Sequence, residues 1–217
     1  MRFGSEVTLT GPWRSPAQML AEQSVAGRKS VHDDATAASM GLAGAPIEGP
    51  THFSQFDPLA VTLWGLAWFE NGCISSHFRT MVVEREEVQA TMTTAGEVAA
   101  RIGARRRDGT PVLVGSASIG PDHPPGELDG RVPAPGDPGP GDLFVIDRME
   151  VGMSRSGELV SIGYDEDNGE GYPFSLSDKL SRITEPHPWY TDEGASTSPW
   201  GRPILPIEMI SVLTSKA

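Results

Sequence analysis

The segment 57–72, DPLAVTLWGLAWFENG, constrains the fold most, because its apolar face is too wide for a helix on the surface. Asp57 suits an N-cap, Pro58 suits the first helical position, and Asn71-Gly72 is a C-terminal stop signal. The apolar side chains that recur at helical spacing are Leu59, Leu63, Leu66 and Phe69, widened by Trp64 and Trp68. The pattern predicts one helix over this range, largely buried in a core.

Four strand-like segments surround this predicted helix. They are residues 5–10 before it, and residues 73–83, 88–104 and 110–119 after it. Gly96 marks a break within the second of the later segments, and Asp108-Gly109 is a strong hairpin signal before the last one. Because a helix followed by hairpin-connected strands packs on one face of their sheet, this order predicts an α+β fold with an antiparallel sheet.

Proline, glycine and acidic residues dominate the middle of the chain, in the stretch GPDHPPGELDGRVPAPGDPGPGD. Such a composition does not form a regular interior element. We therefore predict a first domain over residues 1–120, a linker over 121–142 and a second region over 143–217. The last apolar run, SPWGRPILPIEMISVLTSKA, favours a final helix.

The charge and composition exclude several classes of function. The chain has 217 residues, 38% of them hydrophobic, and a formal net charge of −12, so a broad phosphate-binding surface for nucleic acid is not expected. Because the sequence shows neither a signal-peptide pattern nor an apolar run long enough for a membrane span, we expect a soluble, cytoplasmic protein. Cys73 is the only cysteine, which excludes a cysteine-rich zinc site. No metal site is predicted.

Two parts of the sequence share a partial pattern. His32, Asp34, Gly41 and the pair Pro46-Ile47 precede the predicted helix. Tyr190, Asp192, Gly201 and the pair Pro203-Ile204 precede the last apolar run at nearly the same spacing. Either the two halves derive from one unit, whose second copy ends after its helix, or the similarity is chance in a chain rich in glycine and proline.

These residues make the chain resemble the hotdog fold, and within it the MaoC-like family of (R)-specific enoyl-CoA hydratases and dehydratases. His32 and Asp34 match the family's His-x-Asp, Gly41-Leu42 stands at its Gly-Phe, and the sequence PIEG from Pro46 approximates its Pro-Ile-x-x-Gly with one residue fewer. The resemblance implies a hotdog domain over 1–120, with an antiparallel sheet wrapped around a central helix. It also implies a partial second hotdog-like repeat.

The catalytic residues of that family are only partly present in this sequence. Gly27 stands where the family has its catalytic aspartate. In the C-terminal half, Glu185 stands at the aspartate's place and Tyr190 replaces the histidine. The resemblance therefore implies His32 as general acid or base, with Glu48 or Glu185 as its carboxylate partner and Tyr190 as a further catalytic candidate.

Four residues close to His32 in sequence are the candidates for substrate binding. They are Asp34, Gly49, Thr51 and His52. The amides around Gly49 and Thr51 belong to a helix start, where free N–H groups and the helix dipole favour a negatively charged thioester oxygen. His32 and two of these candidates also have a local alternative: His32 as a loop residue bonded to backbone, Asp34 as an N-cap, and His52 as a packing residue.

Three functions remain open from the sequence. The first is a hydratase or dehydratase of acyl thioesters, with coenzyme A or phosphopantetheine as part of the substrate and no separate cofactor. The second is a non-catalytic hotdog subunit that pairs with a catalytic MaoC-like chain, and the third is a hotdog thioesterase. The resemblance implies a homodimer or a heterodimer with another hotdog chain. Arg105, Arg106 and Arg107 are either a contact for the phosphates of the carrier or a solvated turn.

Overall fold

The computed structural model describes residues 6–126, 129–130, 152–154 and 159–216. The predicted linker over 121–142 and the boundary at 143 lie mostly outside the described residues, so the division into domains stays a prediction. The strands are β1 (Thr8–Arg14), β2 (Ser24–Val25), β3 (Arg28–Lys29), β4 (Gly72–Phe78), β5 (Val88–Thr94), β6 (Ala99–Arg106) and β7 (Pro111–Ile119). The α-helices are α1 (Asp34–Ser39), α2 (Asp57–Trp64), α3 (Ala67–Asn71), α4 (Leu176–Ser181), α5 (Asp192–Ala195) and α6 (Ile210–Lys216). The 3₁₀ helices are η1 (Gly49–Phe56), η2 (Pro188–Tyr190) and η3 (Ile207–Met209).

An antiparallel five-stranded sheet in the order β1-β5-β6-β7-β4 forms the frame of the protein. The turn between β6 and β7 contains Asp108-Gly109, and Gly109 has a φ of +87°. The chain reverses between β5 and β6 at Gly96, where φ is +97°. The predicted α+β class, the hairpin and the break at Gly96 are confirmed. The first strand runs over 8–14 rather than 5–10, because it pairs with β5 across a bulge between Thr10 and Trp13.

The helix predicted over 57–72 is interrupted by a short break between α2 and α3. Gly65 has a φ of +58°, and its N–H donates to the Val61 carbonyl oxygen at 2.8 Å, so α2 ends at a C-cap whose positive φ favours glycine. The prediction of one continuous helix is therefore wrong. The predicted stop is confirmed, since α3 ends at Asn71 and β4 follows immediately.

The main core lies between η1, α2 and α3 on one side and the inner face of the sheet on the other. Alternate residues of the strands point into it, as the period of a half-buried strand requires. The sheet contributes Val88, Ala90, Met92, Ile102, Ala104 and Leu113, and the helices contribute Phe56, Leu59, Ala60 and Trp68. Burial of these side chains holds η1 and α2 against the sheet.

The C-terminal segment 159–216 packs against η1 and forms a second apolar cluster with the chain that follows β1. This cluster contains Met19, Leu20, Phe174, Met209 and Val212. Among the described residues the segment folds into short helices without a strand, so the partial second hotdog-like repeat is not confirmed. The predicted final helix is confirmed by α6. Within the described part of the chain, no helix combines the length and the apolar character needed to cross a membrane.

Candidate functional site

His32 lies half-buried in the loop between β3 and α1, with its ring against backbone. The ring Nδ1 is 2.5 Å from the carbonyl oxygen of Pro46. Because a carbonyl oxygen only accepts hydrogen bonds, Nδ1 carries the hydrogen in this contact. The other nitrogen, Nε2, therefore has a free lone pair whenever the ring is neutral. The loop alternative for His32 and a role as a base are both compatible with this geometry.

Asp34 shapes the same loop rather than capping the helix. Asp33 is the N-cap of α1, with its Oδ1 accepting from the Thr36 N–H at 2.8 Å, so the N-cap alternative for Asp34 is wrong by one residue. Asp34 Oδ1 instead accepts from the Ala45 N–H at 3.1 Å. This bond holds the end of the loop, immediately before Pro46, close to the start of α1.

Glu48 is a carboxylate whose pKa would respond to a charge on His32. It is half-buried and immediately precedes η1. Burial raises the pKa of Glu48 above its usual value, while the Ser211 hydroxyl and the positive charges of Lys179 and His32 act in the opposite direction. Glu48 therefore combines coupling to His32 with a pKa moved toward neutral pH, as proton transfer at that pH requires.

A cleft of about 430 Å³ opens at the start of η1, directly after Glu48. It is lined by Pro46, Ile47, Gly49, Pro50, His52 and residues 78–82. A Cβ on Gly49 would lie 2.5 Å from Cζ of Phe78, so the ring closes on the helix start only because residue 49 is glycine. Phe78 and Met81 are 42% and 56% exposed and give the cleft a largely apolar wall.

Of the first three residues of η1, Gly49 is the candidate for a backbone N–H that donates to a group bound in this cleft. Pro50 has no N–H, and the Thr51 N–H donates to the Glu48 carbonyl oxygen at 3.2 Å. The rest of Thr51 faces the C-terminal segment, because its carbonyl oxygen accepts from Thr184 Oγ1 at 2.8 Å and its hydroxyl lies 3.4 Å from Lys179 Nζ. Thr51 is therefore bound within the fold, while Gly49 lies in the wall of the cleft.

His52 is part of the cleft wall, yet it is only 3% exposed. Burial, and after it the charge of Lys179, lowers the pKa of His52 to about 4. The ring is therefore neutral at neutral pH, and its Nδ1 lies 3.4 Å from Nε2 of Gln55. The burial agrees with the packing alternative, and the position agrees with the predicted contact to substrate.

A buried ion pair lies within the C-terminal segment and is hydrogen-bonded to η1. Lys179 Nζ lies 2.6 Å from Glu208 Oε2, and the two side chains are 1% and 0% exposed. Ser54 of η1 donates a hydrogen bond from its hydroxyl to Glu208 Oε1. Because an isolated charge in such surroundings is costly, the two charges are expected to stabilise the fold only as a pair.

Tyr190 and Asp57 form a second buried contact between the C-terminal segment and the helices. Tyr190 Oη donates to Asp57 Oδ2 at 2.5 Å, and Trp68 Nε1 donates to Asp57 Oδ1 at 2.7 Å. Burial raises the pKa of Asp57 to about 6, against the effect of both hydrogen bonds. Burial and the charge of Asp57 also raise the pKa of Tyr190. The predicted N-cap role of Asp57 is wrong, because Asp57 is the first residue of α2 and its side chain is buried in this contact.

Glu185 lies beside this contact and pairs with the end of β1. Its two carboxylate oxygens accept from Nε and Nη2 of Arg14 at 2.7 and 2.9 Å. Its backbone N–H donates to Ser54 Oγ at 3.1 Å. The predicted catalytic roles of Glu185 and Tyr190 stay predictions, and the polar groups of both side chains are engaged by other parts of the fold.

Asp57 and His52 are expected to give the folding stability opposite dependences on pH. The folded pKa of Asp57, about 6, lies above the usual 3.8, so its contribution is complete below about pH 4 and is lost as the pH rises through 6. The folded pKa of His52, about 4, lies below the usual 6.5, so its contribution is complete above 6.5 and is lost as the pH falls through 4. Between about pH 4 and pH 6, a rising pH therefore lowers the stability through Asp57 and raises it through His52, so the two contributions offset each other.

Single substitutions are expected to separate the two contributions. As the pH rises from 4 to 7, the unfolding free energy of Asp57→Asn should increase by about 3 kcal/mol relative to that of the unsubstituted protein. Over the same range, the unfolding free energy of His52→Gln should decrease by about 3 kcal/mol in the same comparison. Urea unfolding at a series of pH values measures both. Curves that stay parallel for the three proteins would contradict the assignment of these two groups.

Two residues of the arginine triplet are engaged by acidic side chains of the same surface. Arg107 forms an ion pair with Glu87 and lies 4.6 Å above the ring of Trp13, and Arg106 Nη2 lies 3.0 Å from Glu86 Oε2. These contacts agree with a solvated turn. Arg105 donates a hydrogen bond to Gln89 Oε1 at 3.2 Å, and this contact with an uncharged group is weaker than the ion pairs of the other two arginines.

The structure brings together only part of the predicted site. A charge on His32 would act on Glu48, and Gly49 and His52 share the cleft, whereas Glu185 and Tyr190 lie in the cluster around Asp57. The buried pair of Lys179 and Glu208, whose charges act on Glu48 and His52, was missed. In the sequence, Glu208 is an acid within the apolar run PIEMI, whereas Lys179 stands among the polar residues of SLSDKLS, where nothing marks it as buried. Among the described residues, no group of three or more His, Cys, Asp or Glu side chains has an arrangement that would hold a metal ion.

The fold and site define an α+β protein with an antiparallel sheet, a helical layer and a polar cleft mouth at the start of η1. No known family model matches the sequence, and a search of curated proteins finds no match. Among solved structures, the chain is similar to the (R)-hydratase from A. caviae involved in PHA biosynthesis, with 19% identity and a TM-score of 0.35. That match covers 55% of this chain and 98% of the other.

Proposed function

We propose that the protein is a hydratase or dehydratase of acyl thioesters, with coenzyme A or phosphopantetheine as the carrier. The observation that carries the proposal is the pair of His32 and Glu48. One side chain offers a ring nitrogen with a free lone pair, and the other is a coupled carboxyl group with a raised pKa. The pair precedes a helix start that opens on a largely apolar cleft. This arrangement supplies a base, an acid and a place for an acyl group.

The proposed hydration uses the two side chains in complementary roles. His32 Nε2 removes a proton from water as the water oxygen bonds to the β-carbon of the enoyl thioester. Glu48, whose pKa burial raises, delivers a proton to the α-carbon, and a proton then returns from His32 to Glu48 so that both side chains regain their starting states. The Gly49 N–H, at the positive end of the helix, stabilises the charge that develops on the thioester oxygen. Dehydration is the same sequence in reverse.

The other predicted site residues receive supporting roles in this proposal. Asp34 holds the loop of Pro46, Thr51 attaches η1 to the C-terminal segment, and His52 is a neutral group in the cleft wall. Glu185 and Tyr190 are assigned to attachment of the C-terminal segment, because Arg14 and Asp57 engage their polar groups. A dimer and a cytoplasmic location remain separate predictions, the first of which light scattering checks.

A screen of enoyl thioesters with different acyl groups tests the proposal. The expected result is loss of the ultraviolet absorbance of the conjugated thioester, with a hydroxyacyl thioester as product. Glu48→Gln, which keeps the shape but not the acid, should lower kcat by about 10²- to 10⁴-fold. Release of the free thiol instead would favour the thioesterase alternative. No turnover of any thioester by the folded protein would favour the non-catalytic subunit.

A further inference from the structure

The peptide group between Pro46 and Ile47 is held from both sides. Its N–H, on Ile47, donates to the Val82 carbonyl oxygen at 2.8 Å. Its carbonyl oxygen, on Pro46, accepts from Gln18 Nε2 at 2.8 Å and from His32 Nδ1 at 2.5 Å. The acceptor of His32 is therefore not a loose loop carbonyl, because Gln18 and Val82 set the plane of this peptide group.

The orientation of the Gln18 amide follows from its second hydrogen bond. The Leu20 N–H donates to Gln18 Oε1 at 2.9 Å, and Leu20 is 1% exposed in the second apolar cluster. Because a backbone N–H requires an acceptor, the amide oxygen must face Leu20, and the amide nitrogen must face Pro46. Gln18 is thus anchored at one end and donates at the other.

We propose that Gln18 is a positioning residue for His32. By holding the Pro46 carbonyl oxygen, Gln18 keeps the neutral His32 ring in the tautomer with hydrogen on Nδ1. That tautomer leaves Nε2 as the basic atom. The consequence for turnover rests on the proposed function, whereas the effect on the tautomer does not.

Nuclear magnetic resonance of the imidazole nitrogens reads the tautomer directly. Protein with isotope-labelled histidine is compared with Gln18→Ala and Gln18→Glu over a pH series, and the His32 signals are assigned by their loss in His32→Ala. Gln18→Glu keeps an acceptor for the Leu20 N–H but cannot donate to Pro46, so it isolates the proposed bond. The matched control is Gln23→Ala, which removes a comparable bond of 2.7 Å to the Gly171 carbonyl oxygen.

The expected result is hydrogen on Nδ1 in the unsubstituted protein and a larger share of the Nε2–H tautomer in both Gln18 variants. Gln23→Ala should show the unsubstituted pattern. With an active substrate, the Gln18 variants should also lose about fivefold in kcat at unchanged KM. An unchanged His32 tautomer in both Gln18 variants would overturn the inference, even in an active enzyme. A shifted tautomer in a protein that converts no thioester would sustain the inference while rejecting the proposed function.

Discussion

Replacement of Lys179 by methionine is expected to lower the free energy of unfolding by about 3–5 kcal/mol. The substitution preserves most of the side-chain volume but removes the charge that lies 2.6 Å from Glu208 Oε2. Both side chains are almost fully buried, so water does not replace the lost partner. The carboxylate would remain in the fold with Ser54 as its remaining hydrogen-bond donor. Urea unfolding at neutral pH measures the loss.

Two further variants distinguish a lost charge pair from lost packing. The double variant Lys179→Met with Glu208→Leu should recover much of the stability, because it leaves no unpaired buried charge. Lys29→Met breaks the exposed pair with Glu22 and should change stability by less than about 1 kcal/mol. A loss for Lys179→Met no larger than that of the exposed control would contradict the buried pair.

Replacement of His32 by alanine is expected to lower kcat for an enoyl thioester by about 10²- to 10⁴-fold. The reason is the loss of the only proposed base, since Nε2 is the ring atom that the contact with Pro46 leaves free. KM and the unfolding free energy should change little, because the ring is half-buried. Steady-state kinetics, with urea unfolding alongside, measures all three quantities.

His123→Ala is the matched control for that experiment. The His123 ring lies after β7, with Nδ1 2.9 Å from Ser118 Oγ, and takes no part in the proposed reaction. Its removal should leave kcat within about threefold of the unsubstituted value. Equal turnover by His32→Ala and His123→Ala would remove His32 from the mechanism.

The sheet was predictable because its signals are local. Burial alternates along β5 and β6, a glycine stands at each reversal, and Asp108-Gly109 forms a turn. Each of these signals depends only on residues that are close together in the sequence. The interruption of the helix was not predictable in the same way. Gly65 stands inside an apolar helical pattern, where an isolated glycine is tolerated and does not by itself predict the end of a helix. Its φ of +58° is a property of the folded backbone that the pattern does not contain.

The site was only partly predictable, because its contacts join distant segments. Glu48 and His32 are near each other in sequence, and their interaction was among the alternatives. The hydrogen bond from Ser54 to Glu208, which is itself paired with Lys179, depends on docking of the C-terminal segment. A lysine and a glutamate are normally read as surface residues, since both are rarely buried unless paired. Asp57 was predicted as a helix cap from its place before Pro58. Its contact with Tyr190, 133 positions away in sequence, could not be read from that local pattern.

The measurement that tests the central claim most directly is product analysis in water labelled with heavy oxygen. The protein is incubated with an enoyl thioester that the screen selects, and the products are identified by mass spectrometry. The proposed hydration should yield a hydroxyacyl thioester that still carries its thiol and has one heavy oxygen on the β-carbon, formed far more slowly by His32→Ala. Heavy oxygen in a free carboxylic acid, or no labelled product from the folded protein with any enoyl thioester, would contradict it.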